Sequence, residues 1–157
     1  MVALATNTTH SVDQVVSKAE AVTTPRPVEL IRSPELTDRA QYAYAAVAHE
    51  VSTLVFTAGA CPLDRSGTIA PVGDIAGQTE QAMANLTLAL RASGAGLADV
   101  VKTTVYVASQ RREDLVTAWE VVRRGFGDHD APSTLLGVAV LGYPDQLVEV
   151  EAIAALR

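Results

Sequence analysis

Cysteine is almost missing from this 157-residue chain, with Cys61 the single thiol. One thiol excludes an internal disulfide and any zinc site built from several thiolates, and it points to a reducing compartment, the cytoplasm. Aromatic residues are scarce at 4%, so the core has to be assembled from Val, Leu, Ala and Ile. No apolar run is long enough to span a bilayer, and the amino terminus lacks a basic stretch followed by a continuous apolar one. Neither a membrane helix nor a signal peptide is therefore expected. Positive charge is short as well: 12 Lys and Arg against 18 Asp and Glu leave a formal net charge of -6. Phosphate backbones and anionic membranes are bound through clustered basic side chains, and the pairs Arg111-Arg112 and Arg123-Arg124 are too few and too mixed with acids to form such a patch. Neither nucleic acid nor a membrane surface is expected as a partner.

Several chemistries lack their motif. The three histidines, His10, His49 and His129, are scattered, and none sits at a metal-ligand spacing from another His or from Cys61. No metal is expected. Ser93-Gly94-Ala95-Gly96 is rich in small residues but follows a helical pattern, so it cannot offer helix-start amides to a phosphate. Ser133 lies in no nucleophile elbow. Cys61 reads as a small buried hydrophobe, because only Arg65 stands near it to stabilise a thiolate.

What is present is one domain's worth of chain with 48% apolar residues, and a chain of this size buries roughly 70% of its unfolded surface. Residues 1–27 carry little pattern beyond a possible short helix from Ser11 to Ala21 and end at Pro25-Arg26-Pro27, which reads as a mobile or weakly docked extension. Residues 28–157 form the domain. Val28 to Ile31 is a first strand; Tyr42 to Ala48 and Val51 to Ala58 read as a strand pair around His49-Glu50. From Asp74, a capping residue, the period becomes helical, with Ile75, Thr79, Ala82, Met83, Leu86, Ala89 and Leu90 on one stripe. Val100 to Val107 is dense in β-branched residues and reads as a strand. A second helix from about Arg112 buries Leu115, Trp119, Val122 and Phe126 and stops at Gly127. The order β-β-β-α-β-α-β-β predicts an α+β sandwich, a mixed sheet with both helices on one face.

The last stretch draws most attention. Ala131 to Leu141 and Leu147 to Ala154, joined through Gly142-Tyr143-Pro144-Asp145, read as an antiparallel strand pair. A period of two puts Val148, Val150, Ala152 and Ala154 on one face, and Leu147, Glu149, Glu151 and Ile153 on the other. Two carboxylates thus share a face with apolar neighbours. They suit either a solvated sheet face or half-covered acids that do proton chemistry.

Four segments taken together resemble the reactive intermediate deaminase (Rid) superfamily: Leu54-Val55-Phe56-Thr57-Ala58-Gly59, Gly73 to Leu86, Asp99 to Val107, and Leu147 to Ala154. The resemblance runs from about Tyr42 to the carboxyl terminus. It implies a chorismate-mutase-like fold assembled as a homotrimer, with small-molecule ligands in clefts between subunits. It also implies hydrolysis of 2-imino and enamine intermediates released by pyridoxal-phosphate enzymes, without metal or cofactor. On that pattern Glu149 positions and activates water, Tyr42 or the nearby Tyr44 supplies the site tyrosine, and Gly59 offers backbone groups at the pocket floor. The departures are Pro132 in place of the family's carboxylate-gripping Arg, before Ser133; Thr134 in place of Cys; Ala58 in place of Ser; and Trp119 in place of Asn. Catalytic roles are thus expected for Glu149, Tyr42 and Thr134, and substrate contacts for Gly59, Ala58, Pro132 and Ser133. Losing a bidentate, charge-assisted hydrogen bond costs on the order of a few kcal/mol. The expected substrate is therefore an imine, enamine or related C–N bond other than the standard 2-imino acids. The alternative is a non-catalytic member that binds a small metabolite or shields a labile intermediate.

Overall fold

A computed structural model describes residues 27–157. The expected helix between Ser11 and Ala21, and all of the amino-terminal extension except Pro27, lie outside the described residues. The chain runs β1 (Val28–Ile31), β2 (Ala45–Ala48), β3 (Thr53–Phe56), α1 (Ile75–Ala92), β4 (Val100–Val107), α2 (Arg112–Phe126), β5 (Ser133–Gly137) and β6 (Val148–Leu156). The order of strands and helices is the one read from the sequence.

The local causes are those of the side chains. Asp74 caps α1 by accepting the Gly77 N–H at 3.0 Å, which satisfies one of the donors a helix start leaves unpaired. In α2, Glu113 and Asp114 occupy the first turn and Arg123 and Arg124 the last, each complementing the helix dipole. Gly127 ends α2 with a φ of 61°, a conformation that a residue with a Cβ resists. Leu86, Leu90, Val100, Val105, Val107, Val148 and Val150 are fully buried between the helices and the sheet; each such side chain contributes roughly 1.5–3 kcal/mol of transfer free energy.

Two pairings differ from the sequence reading. The sheet order is β3-β6-β4-β5, so β5 and β6 are not neighbours: β5 pairs parallel with β4, and β6 pairs antiparallel with β4 and β3. The expected terminal hairpin is therefore corrected to two strands with β4 between them. The reason is the crossover: β4, α2 and β5 form a βαβ unit, which brings β5 back parallel beside β4. Likewise β2 does not pair with β3. It pairs antiparallel with β1 in a separate two-stranded sheet, and Glu50, at a φ of 51°, turns the chain towards the main sheet.

Two details of the helix stripes also change. Ala89 is exposed, and Gln78 takes an inward place on α1. Trp119 packs against the core but remains half-exposed, its indole N–H donating to Gln41 Oε1 at 3.0 Å.

The helices cover one sheet face only. Val148, Val150, Ala152 and Ala154 of β6 are buried beneath them. Register then places Glu149 opposite Tyr106, Glu151 opposite Thr104 and Ile153 opposite Lys102 on the other face. That open face also presents Leu54, Phe56 and Leu136, of which Phe56 is 69% exposed.

Candidate functional site

Glu149 owes its position to three layers of packing. The strand parity of β6 turns it to the open face, where Tyr106 is its cross-strand partner. The segment after β3 then lies alongside: Ala60 bridges Val150, its N–H donating to the Val150 carbonyl at 2.8 Å. That bridge lays Gly59 directly against the carboxylate, so that a Cβ at position 59 would overlap Oε1 and Cδ and come within 2.7 Å of Cγ. Gly59 is required here for its missing side chain.

Amide side chains hold the two loops that frame the carboxylate. Asn85 of α1 donates to the carbonyls of Cys61 and Leu63 at 2.8 and 2.9 Å, and Gln81 donates to Asn85 Oδ1 at 3.0 Å. Gln78, fully buried, donates to the carbonyls of Pro71 and Asp145 at 3.0 and 2.9 Å and accepts the Leu147 N–H at 2.7 Å. The strand-entry loop before β6 is thus fastened to the first turn of α1. Gln146, also buried, donates to Glu149 Oε2 at 2.9 Å, and Cys61 Sγ donates to the same oxygen at 3.4 Å. Burial first, and then the adjacent Glu149 charge and hydrogen bond, push the Cys61 thiol up to about 11. It is a protonated donor rather than a nucleophile at neutral pH.

Glu151, the second acid of the strand, has a different setting. Tyr106 donates its hydroxyl to Glu151 Oε1 at 3.0 Å, and that bond chiefly holds the phenol above its usual range. Lys102 lies nearby; burial lowers its ammonium pKa, and the Glu151 charge works against that. Lys102 donates from Nζ to Thr134 Oγ1 at 2.5 Å. Phe56, Thr57, Lys102, Thr104, Glu151 and Ile153 frame a shallow cavity of about 160 Å³ on this face.

The other expected site residues do not converge on Glu149 within one chain. Thr134 is on β5 opposite Thr104, on the open face but with β4 between it and β6; two strand spacings amount to roughly 10 Å. Ser133 turns towards the helices, accepting from Thr103 Oγ1 at 2.7 Å. Pro132 is buried, and its carbonyl accepts the Thr103 N–H at 3.0 Å. Ala58 is exposed beside Gly59. Tyr42 lies on the α2 side, edge-on to Trp119 at 5.9 Å and to Tyr44 at 6.3 Å between ring centroids. Glu149 and Gly59 therefore form one cluster, Thr134 a second and Tyr42 a third, with Ala58 joined to the first only as the chain neighbour of Gly59. Among the described residues no three His, Cys, Asp or Glu side chains are grouped as metal ligands would be.

The sequence reading did not single out Gln78, Asn85 or Gln146. A signal existed for the first two: they lie seven residues apart on α1, both amides on a helix whose neighbouring positions go inwards. Gln146 had none, since a polar residue in a Pro-Asp turn reads as solvated.

Comparison with known proteins bears on the fold and the family. The family model described as Endoribonuclease L-PSP matches residues 35–156. A RutC family protein of Pyrococcus horikoshii is 36% identical over 106 residues, which cover 67% of this chain and 81% of that one. The 2-iminobutanoate/2-iminopropanoate deaminase of Salmonella typhimurium is 32% identical over 111 residues, covering 69% and 84%. The crystal structure of a Rid family protein of unknown function from Yersinia pestis superposes with a TM-score of 0.77 at 26% identity, over 83% of this chain and 99% of that one. Among the described residues no helix is long and apolar enough to cross a membrane.

Proposed function

The chain belongs to the reactive intermediate deaminase family, and we propose that it is a cofactor-independent hydrolase of a small imine, enamine or related C–N bond, working in the cytoplasm with Glu149 as its general base. The observation that carries this reading is the seating of the Glu149 carboxylate, half-buried against Gly59, with both donors on Oε2 and none from the described residues on Oε1. Glu149 takes a proton from water as the hydroxide adds to the imine carbon. It then returns that proton to nitrogen to complete the carbinolamine, whose hydroxyl proton passes to nitrogen as the C–N bond breaks, leaving a carbonyl compound and ammonia.

The scattered positions of Tyr42, Thr134 and Glu149 favour a site completed by a neighbouring copy. The exposed Leu54, Phe56 and Leu136 suit the burial of this sheet face in a homotrimer. Light scattering at micromolar protein is expected to return three times the 16.5 kDa chain mass. A monomer there would remove the shared cleft.

Pro132 sets the substrate class. Without a guanidinium at that point, a substrate carboxylate loses a pair of charge-assisted hydrogen bonds, each worth about 1.5–3 kcal/mol. In an ammonia-release assay, imines without a carboxylate are expected to be hydrolysed more efficiently than 2-iminobutyrate generated by an amino-acid oxidase. Pro132→Arg is expected to raise the kcat/KM ratio in favour of 2-iminobutyrate by about 10–100-fold. The ratio cancels any general damage from placing Arg at a buried position. An unchanged ratio would remove Pro132 from specificity, and no ammonia from any imine would leave the non-catalytic binding reading in its place.

A further inference from the structure

A strand glutamate on an open sheet face ordinarily turns freely about its side-chain bonds. Glu149 does not. Gln146 is 4% exposed, and each of its polar atoms is engaged: Nε2 donates to Glu149 Oε2 at 2.9 Å and to the Val148 carbonyl at 3.2 Å, while Oε1 accepts the Tyr143 N–H at 3.1 Å. The amide is thereby fixed, and so is the direction of its N–H towards the carboxylate. Cys61 reaches the same oxygen from the opposite loop at 3.4 Å, and that loop is itself anchored by Asn85. Gly59, which has no side chain, lies beside Oε1.

We propose that Gln146 and Cys61 form a clamp that holds the Glu149 carboxylate by Oε2 and reserves Oε1 as the oxygen that takes the proton from water. The inference rests on Glu149 being the base. Both donors are neutral, so they orient the carboxylate without placing a cation beside it, which would weaken it as a base. Gln146 and Cys61 touch neither water nor substrate in this scheme; they are positioning residues, and holding a reacting group in place is the kind of contribution that a displacement of an ångström removes.

The test uses the full chain and an imine that it turns over. Gln146→Leu, with Gln146→Met as a second variant should the first not fold, is expected to lower kcat by about 10–100-fold while KM stays within about twofold. Cys61→Ala is expected to lower kcat by a smaller factor, and Cys61→Ser, which keeps a donor, to recover most of it. A merely structural role would lower the melting temperature and leave kcat in place, or raise KM alone; either result overturns the clamp. An independent readout is the pH dependence of Cys61 alkylation by iodoacetamide. Burial first, and then the Glu149 charge and hydrogen bond, push the Cys61 thiol up to about 11, so Glu149→Gln, which removes the charge but not the burial, is expected to lower it part of the way towards the ordinary thiol range. A thiol unmoved by Glu149→Gln would show that the two side chains are not in contact. If Glu149→Gln abolishes turnover and Gln146→Leu does not, the clamp alone fails; if Glu149→Gln leaves turnover intact, the base assignment and the clamp fail together.

Discussion

Glu149→Gln is expected to lower kcat by roughly 10²–10⁴-fold, the usual contribution of a positioned general base, with the fold intact. The replacement is nearly isosteric, and the site dictates how it sits. Gln146 and Cys61 both donate to Oε2, so the carbonyl of the new amide has to occupy that place. Its NH₂ then lies at the position of Oε1, where it can donate but cannot accept a proton from water. Substrate binding suffers less than turnover, so kcat falls with little change in KM. Steady-state ammonia release beside a thermal melt measures both quantities. A variant that hydrolyses the imine at the native rate would dismiss Glu149 as the base.

Gly59→Ala is expected to be nearly as damaging, although it removes no functional group. The added methyl would overlap Oε1 and Cδ of Glu149 and meet Cγ at 2.7 Å. Either the carboxylate swings away from its two donors or the Gly59 loop parts from β6, breaking the bridge between Ala60 and Val150. Overpacking of this kind costs typically 1–3 kcal/mol of stability, and displacement of the base is expected to cost about 10²-fold in kcat. Gly59 is not among the glycines held at positive φ, so relief from strain is not at issue and the effect has to come from the clash. The double variant with Glu149→Gln provides the check: with the base already gone, Gly59→Ala should lower kcat little further. A full multiplicative loss would mean that Gly59 acts elsewhere.

Both expectations concern residues that sequence pattern reaches only partly. The helices were legible because their signals are local: the Asp74 cap, the stripe of Ala82, Met83, Leu86 and Leu90, and the Gly127 stop each act within a few residues of the backbone they shape. The strand Val100–Val107 was legible for the same reason. Strand pairing was not. A run such as Leu147 to Ala154 declares its two faces by alternation, yet nothing in it says which edge will meet β3 and which β4. That choice depends on the crossover through α2, a property of the whole chain. The expected hairpin failed on this point, and so did the pairing of β2 with β3.

The candidate site divides along the same line. The amino-acid sequence by itself determined the composition of the open face, because a period of two in β6 turns Glu149 and Glu151 away from Val148 and Val150 in any sheet that buries the valines. It also determined the resemblance that gives Glu149 its proposed role. Only the tertiary structure decided what each acid meets: Glu149 meets Gly59, Cys61 and Gln146, whereas Glu151 meets the Tyr106 hydroxyl. The physical reason is distance along the chain. Cys61 and Glu149 lie 88 positions apart, and Gln78 and Leu147 lie 69 apart. Side chains so far apart are brought together only by the packing of α1 and the Gly59 loop on the sheet.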